Sequence, residues 1–167
     1  MSVHARPDIE YRSLPVALSV DQAPDVGGAG PTITGRAIVY GSLSEDLGGY
    51  REVIAPGAVT FAPDVLALFD HNTSQVIGRT SSGTLEVADD GQGVTVKMTP
   101  PDTTWARDLL TSMRRGDIKQ MSFGFRVRDC QWYEEAGQPR RLLTDIYVLE
   151  LSAVAMPAYS DTTCEAT

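Results

Sequence analysis

At the centre of the sequence is the segment Gly116-Asp117-Ile118-Lys119-Gln120-Met121-Ser122-Phe123-Gly124-Phe125-Arg126-Val127-Arg128. Its apolar and polar residues alternate, which predicts a β-strand because successive side chains of a strand point to opposite faces. One predicted face carries Met121, Phe123, Phe125 and Val127, and the other carries Ser122, Gly124, Arg126 and Arg128. The strand therefore holds a hydroxyl at a fixed position, with space beside Gly124 for another backbone to approach. Ser122 is either a nucleophile or an ordinary strand serine.

The size and composition of the chain indicate one globular domain. Its 167 residues are enough to bury a core without disulfides. Hydrophobic residues make up 42% and charged residues 22%, which is ordinary for a globular protein. The 14 basic and 22 acidic residues give a net charge of −8. This charge argues against binding to nucleic acid by phosphate neutralisation, so we expect no direct nucleic-acid partner.

The cysteines and the hydropathy pattern indicate a cytoplasmic protein. Cys130 and Cys164 are too few for a disulfide framework and lack metal-ligand spacing, so we expect free thiols in a reducing compartment. No apolar run reaches membrane-spanning length, and the N-terminus has no signal-peptide pattern. We therefore expect a soluble protein made in a cytoplasm, with no membrane partner.

The pattern along the chain predicts a mainly β domain. Eight strands are predicted, over residues 14–20, 32–40, 65–69, 75–80, 83–88, 94–98, 116–128 and 142–154. A helix is predicted over residues 103–115 with Asp102 as an N-cap and Gly116 as its C-terminal stop, and a short helix near residues 54–61. These elements predict a barrel or a strongly curved sheet with helices on its rim.

The same pattern divides the chain into three parts. Residues 1–31 are predicted to be an N-terminal edge segment followed by a flexible loop. Residues 32–159 form the predicted domain, and residues 160–167 form a C-terminal tail.

A nucleophilic serine needs a base, and histidine suits this role near neutral pH. The sequence has two histidines, His4 and His71. His4 lies in an N-terminus that we expect to be disordered, whereas His71 follows the apolar run at residues 65–69, which is typical of a buried strand. If Ser122 has a histidine partner, it is His71. The alternative is that His71 is structural or merely exposed.

The third candidate residue is Glu150, which lies within the most apolar predicted strand, residues 146–154. A carboxylate there is costly unless it is paired or hydrogen-bonded. By alternation it shares a face with Ile146, Val148, Ser152 and Val154. Two explanations stay open: Glu150 orients His71, or it pairs with Arg126 or Arg128 on the neighbouring strand. The weaker candidates for the orienting carboxylate are Asp70 and Asp145.

Other chemistries have less support in the sequence. The glycines at residues 27–30 lack the preceding strand and following helix of a phosphate-binding loop. Cys130 has no local histidine, and no cluster has metal-ligand spacing. We therefore expect neither a cofactor nor a metal.

Taken together, several motifs resemble the prohead (procapsid maturation) protease family of tailed bacteriophages. The motifs are Asp70-His71-Asn72, Ile77-Gly78-Arg79, Met121-Ser122-Phe123-Gly124-Phe125, Glu150-Leu151-Ser152-Ala153-Val154 and Pro157-Ala158. The resemblance runs from about residue 34 to residue 159. It implies a fold similar to herpesvirus assemblin, a closed β-barrel of about six to eight strands with one or two flanking α-helices.

The resemblance also implies an activity and its residues. It implies a serine endopeptidase that cleaves scaffolding segments of the capsid protein, and itself, inside the immature procapsid in the bacterial host cytoplasm. By position, Ser122 would be the nucleophile and His71 the general base. The herpesvirus relatives use a second histidine as the third residue, but this chain has no histidine after Ser122. Glu150 occupies the corresponding late-strand position and is the candidate there.

Two further implications complete the expectation. The herpesvirus relatives imply a possible homodimer, by analogy alone. The alternative function is a non-enzymatic capsid-assembly or scaffold-binding protein with the same fold.

Overall fold

The computed structural model describes residues 8–14, 18–21 and 30–156, and these form ten strands, one α-helix and one short 3₁₀ helix. The strands are β1 (Glu10–Leu14), β2 (Leu18–Asp21), β3 (Thr32–Val39), β4 (Arg51–Ile54), β5 (Val59–Phe69), β6 (Asn72–Arg79), β7 (Leu85–Asp89), β8 (Gly93–Met98), β9 (Gln120–Glu135) and β10 (Gln138–Val154). The helix α1 covers Thr104–Arg115, and the 3₁₀ helix covers Thr80–Ser82. The prediction of a mainly β chain is confirmed.

The strands are arranged in two open sheets. The larger has the order β1-β9-β10-β5-β6, with β4 also paired to β10, and the smaller has the order β2-β3-β8-β7. The implied closed barrel is therefore wrong, since a barrel requires the two end strands of a sheet to pair with each other. In the described residues β1 and β6 end the larger sheet, which curls into a half-barrel. Bulges in the long strand β10 help this curvature.

The core lies between the two sheets and α1. Phe123, Phe125 and Leu151 of the larger sheet are buried together with Ile33 and Met98 of the smaller one. Burial of such apolar side chains contributes about 25 cal/mol per Å² and is the main stabilising term. The central strand β9 thus buries the apolar face predicted for it.

Helix α1 has an apolar stripe that faces the core, and it ends at the predicted glycine. Leu109 and Met113 are buried, and Trp105 packs against the core. Gly116 has φ 81° and its N–H donates to the carbonyl of Met113, as expected of a left-handed C-terminal residue. The N-cap is Thr103 rather than Asp102, and Asp102 instead pairs with Arg107.

The prediction and the structure differ in the N-terminal half of the chain. The short helix near residues 54–61 is wrong, because these residues end β4, turn at Pro56-Gly57 and begin β5, which pairs with β10. The predicted edge strand at residues 14–20 is divided into parts of β1 and β2, each an edge strand. Strand β4 was not predicted. Most of the predicted loop at residues 23–31, and the tail at residues 160–167, lie outside the described residues.

Candidate active site

His71 lies in the two-residue turn that joins β5 to β6. Asp70 and His71 have φ values of 51° and 56°, and Phe69 pairs with Asn72 across the turn. Positive φ at both central residues is the geometry of the tight hairpin turns that match strand twist. The turn is fixed to β10, because the Asp70 N–H donates to the Ala153 carbonyl at 3.0 Å and the His71 N–H donates to Ser152 Oγ at 3.3 Å.

Glu150 contacts the His71 ring directly. The distance from His71 Nδ1 to Glu150 Oε1 is 2.5 Å, and the hydroxyl of Ser152 donates to Glu150 Oε2 at 2.5 Å. Both oxygens of a carboxylate that is 9% exposed therefore have a partner. Because Nδ1 faces the carboxylate, the ring proton belongs on Nδ1, and Nε2 is left as the acceptor nitrogen.

A β-bulge in β10 turns Glu150 towards His71. The register with β9 shifts between Val148 and Glu150, so Leu149 is an extra residue in the strand. Ile146 and Val148 consequently point into the apolar core with Leu151, whereas Glu150 and Ser152 lie together on the other face. The predicted common face is thus right for Ser152 and wrong for Ile146 and Val148. The bulge keeps the carboxylate out of the core.

Ser122 lies in β9, directly opposite Ser152 of β10. Its side chain is fully buried, and Ser122 Oγ has no hydrogen-bond partner among the described residues. His71 Nε2 is likewise buried without a partner in that part of the chain. The structure therefore brings His71 and Glu150 into contact and places Ser122 one strand away, without a hydrogen bond between Ser122 and His71.

Gly124 allows two side chains to approach the sheet beside Ser122. A Cβ atom at this position would lie 2.8 Å from Glu150 Oε1 and 2.9 Å from Tyr11 Cε1. The close neighbours are side chains, so the expectation that another backbone would fill this space is wrong. The Tyr11 ring also contacts the His71 ring edge-on, with 4.7 Å between centroids.

The alternative pairing of Glu150 with an arginine is wrong. Arg126 forms an ion pair with Asp8 at 2.6 Å, and the Arg128 guanidinium lies 4.1 Å from the centroid of the Tyr147 ring. The His71 ring contacts Glu150 rather than Asp70, whose backbone N–H donates to the Ala153 carbonyl. The buried carboxylate therefore contacts His71 and neither of these arginines.

Sequence reasoning missed Ser152 and Tyr11 as parts of this site. Ser152 carried a signal, since it is a hydroxyl two residues from Glu150 in an apolar strand. Tyr11 carried none, because its contact with His71 depends on the pairing of β1 with β9.

Two general properties bear on the class of site. Within the described ranges, no group of three or more His, Cys, Asp or Glu side chains could hold a metal ion. No helix in that part of the chain has the length and apolar character needed to cross a membrane.

Comparison with known proteins identifies a family. A family model described as caudovirus prohead serine protease matches residues 19–167. No curated protein and no solved structure matches the chain. The matched residues include the strands and turn that carry His71, Ser122 and Glu150, and they begin after β1.

Proposed function

The chain belongs to the caudovirus prohead serine protease family, and we propose that it is a serine endopeptidase with Ser122 as nucleophile, His71 as general base and Glu150 as the carboxylate that positions His71. The observation that carries this proposal is the 2.5 Å contact between His71 Nδ1 and Glu150 Oε1. It fixes the ring so that Nε2 can accept a proton on the side away from the carboxylate.

The burial of the two reacting atoms supports the same roles. Buried hydroxyl oxygens and ring nitrogens nearly always have hydrogen-bond partners in proteins. Ser122 Oγ and His71 Nε2 both lack one among the described residues. Catalytic hydrogen bonds are often long in substrate-free enzymes and shorten when substrate binds. A hydrogen bond from Oγ to Nε2 in the substrate complex would satisfy both atoms.

The proposed reaction is acyl transfer to serine followed by hydrolysis. Ser122 Oγ attacks the carbonyl carbon of the scissile peptide bond while its proton moves to His71 Nε2. His71 then gives this proton to the amine as the C–N bond breaks, which leaves an ester on Ser122. Water, deprotonated by the same nitrogen, hydrolyses the ester and regenerates the hydroxyl. Glu150 stabilises the charged ring formed in each half of the reaction.

The substrate follows from the family. A prohead protease acts on capsid protein in the procapsid, and we propose the scaffolding segment of the major capsid protein, and this chain itself, as the polypeptides cleaved. The site of action would be the immature procapsid within the bacterial host cytoplasm. A homodimer is part of this proposal.

The test is co-expression with the major capsid protein and mass spectrometry of the products. Ser122→Ala should abolish cleavage of the capsid protein and of the chain itself. It should change the free energy of unfolding by less than about 1 kcal/mol, because the hydroxyl makes no hydrogen bond with the described residues. The matched control is Ser74→Ala, at an exposed serine of the same sheet.

The contrary result would point to the other function class. If Ser122→Ala processes the capsid protein as the unaltered chain does, Ser122 is not the nucleophile. If neither protein cleaves and assembly is unaffected by the substitution, the chain is a non-enzymatic assembly or scaffold-binding protein.

A further inference from the structure

Strand β1 pairs with the strand that carries the proposed nucleophile. The pairing with β9 is antiparallel and places Ser13 opposite Ser122 and Tyr11 opposite Gly124. On its other side β9 pairs with β10. Both hydrogen-bonding edges of β9 at Ser122 are therefore occupied by strands of this chain.

This occupancy conflicts with the reaction. Ser122 is fully buried, yet an endopeptidase must bring the carbonyl carbon of a polypeptide to its Oγ. Extended peptides commonly bind proteins by adding a strand to the edge of a sheet. β10 lies in the middle of the larger sheet, with β9 and β5 on its two sides, whereas β1 is a five-residue edge strand. Because β1 pairs with one neighbour only, its departure breaks strand pairing on one side, and β1 is the strand that can leave β9.

We propose that β1 occupies the substrate-binding edge of β9, and that an extended polypeptide segment replaces β1 and pairs antiparallel with β9 beside Ser122. The inference rests on the proposed function and adds the location and backbone form of the bound substrate. It also makes residues 10–14 an internal competitor of the substrate.

Four charged side chains, which we name the β1 ion cluster, hold β1 in place: Glu10, Arg12, Glu52 and Arg141. Arg12 Nε lies 3.0 Å from Glu52 Oε1, and Arg141 Nη1 lies 3.0 Å from Glu10 Oε2. These two contacts join β1 to β4 and β10. Glu52 is 3% exposed, so the contacts form where charges interact more strongly than in water.

The pairing of charges within the cluster limits the electrostatic cost of separating β1. When β1 leaves, Glu10 and Arg12 leave together, and they already contact each other at 2.5 Å. Glu52 and Arg141 stay behind, and they contact each other at 3.2 Å. Each half then has one acid and one base. Separation therefore leaves no unpaired charge in the body of the protein, which would otherwise be strongly unfavourable.

The family match is consistent with a replaceable strand. It begins at residue 19, whereas β1 ends at Leu14. The parts of the site that make and break bonds are all in the matched residues, and β1 is not.

The test measures how fast a serine-directed fluorophosphonate labels Ser122 in the full chain. Arg12→Gln breaks the contact between β1 and Glu52, so the form without β1 on β9 becomes more populated. We expect Ser122 to be labelled at least about fivefold faster. Arg36→Gln is the matched control, because Arg36 of the other sheet pairs with Asp90 in the turn between β7 and β8. It should label at the unaltered rate, and Ser122→Ala should not be labelled.

A peptide with the sequence of residues 8–14 tests the occupied edge itself. Added to Arg12→Gln, it should slow labelling by competing for β9, whereas a scrambled peptide should not. Hydrogen exchange should show faster exchange of the β1 amides in Arg12→Gln and unchanged exchange in α1. Glu10→Gln is a second variant, for use if thermal unfolding shows that Arg12→Gln is not folded.

The outcomes separate this inference from the proposed function. Equal or slower labelling in both folded variants would show that β1 is a fixed part of the site, and the inference would be wrong while the nucleophile stood. No labelling of Ser122 in any variant would overturn the proposed function and the inference with it.

Discussion

Glu150 is a buried carboxylate whose surroundings account for its position. Its two oxygens accept from His71 Nδ1 and from the Ser152 hydroxyl, both at 2.5 Å. Hydrogen bonds to a charged acceptor are roughly twice as strong as neutral ones, and here they offset part of the cost of burial. Ser152 also accepts from the His71 backbone N–H. One hydroxyl thereby fixes the carboxylate and the backbone of its histidine partner.

The charge of Glu150 can be tested at constant shape. In Glu150→Gln the amide can still contact Nδ1, but it no longer stabilises a protonated ring. We expect kcat for cleavage to fall on the order of 10⁴-fold with KM little changed, since loss of the equivalent charge has an effect of that size in serine proteases. The pH dependence of kcat/KM should shift as well, which loss of packing alone would not cause.

The matched control for this change is Glu86→Gln. Glu86 pairs with Lys97 in the smaller sheet, whereas the site lies in the larger one. The Glu86→Gln variant should keep full activity. A folded Glu150→Gln protein with unaltered kcat and pH profile would show that the carboxylate has a structural role only.

The turn between β5 and β6 is an element with backbone strain at the site. A non-glycine residue in the left-handed region costs roughly 1–2 kcal/mol, and the second position of such turns strongly favours glycine. His71 occupies that position with φ 56°. Strained residues of this kind occur often at functional sites. We infer that the turn is held in this form because it directs the ring to Glu150.

Two substitutions that both remove the ring isolate this strain. His71→Gly should be more stable than His71→Ala by roughly 0.5–1 kcal/mol, because relief of the left-handed conformation exceeds the added entropy of the unfolded chain. Both variants should be inactive. Urea unfolding measures the difference. At Thr73, an exposed residue of β6, the order should reverse, with alanine more stable than glycine. The same order at both positions would mean that the turn is not strained.

The strands illustrate how much of the fold the sequence predicts. β3, β8 and α1 lie within one or two residues of their predicted bounds because each has a clear period and a clear stop, such as Gly116. β4 and the first half of β5 were missed, since their short sequences have no clear period and their strand structure is seen in the pairing with β10. The alternating pattern also failed to predict the bulge at Leu149, because an extra residue in a strand does not change which residue types are present. The faces of Ile146 and Val148 were therefore predicted wrongly.

The sequence likewise predicts part of the candidate site, namely its residues, but not all of its contacts. Residue chemistry selected His71 and Glu150, since few other groups could act as a base or orient it. The contact of Tyr11 with the His71 ring, and the approach of Glu150 to Gly124, depend on the register of β1 and β10 against β9. Register is a long-range property, and no local pattern in residues 8–14 specifies it.

At the scale of the whole molecule, two sheets enclose one core without joining into a barrel. The chain crosses from the larger sheet to the smaller through the 3₁₀ helix between β6 and β7. Asp64 of β5 stabilises this connection through hydrogen bonds. It accepts from Arg79 Nε at 3.1 Å and from the Ser81 backbone N–H at 3.0 Å. A single carboxylate therefore links β5, β6 and the start of the path to the second sheet.

Asp64 makes the stability of this junction depend on pH. The hydrogen bond from Arg79, with that from the Ser81 N–H, lowers the pKa of the Asp64 carboxyl from 3.8 to about 2. A group whose pKa is lower in the folded state stabilises it fully above the unfolded pKa, and this contribution is lost as pH falls through the folded pKa. Asp64→Asn should therefore lower the unfolding temperature above pH 4, and the difference should shrink between pH 4 and pH 2. Because the pair is partly exposed, 1 M salt should also reduce the difference.

Asp102→Asn, at a more exposed arginine pair, is the control and should have little effect at any pH. A deficit in Asp64→Asn that stays constant down to pH 2 would show that the carboxylate acts through its shape rather than through its charge.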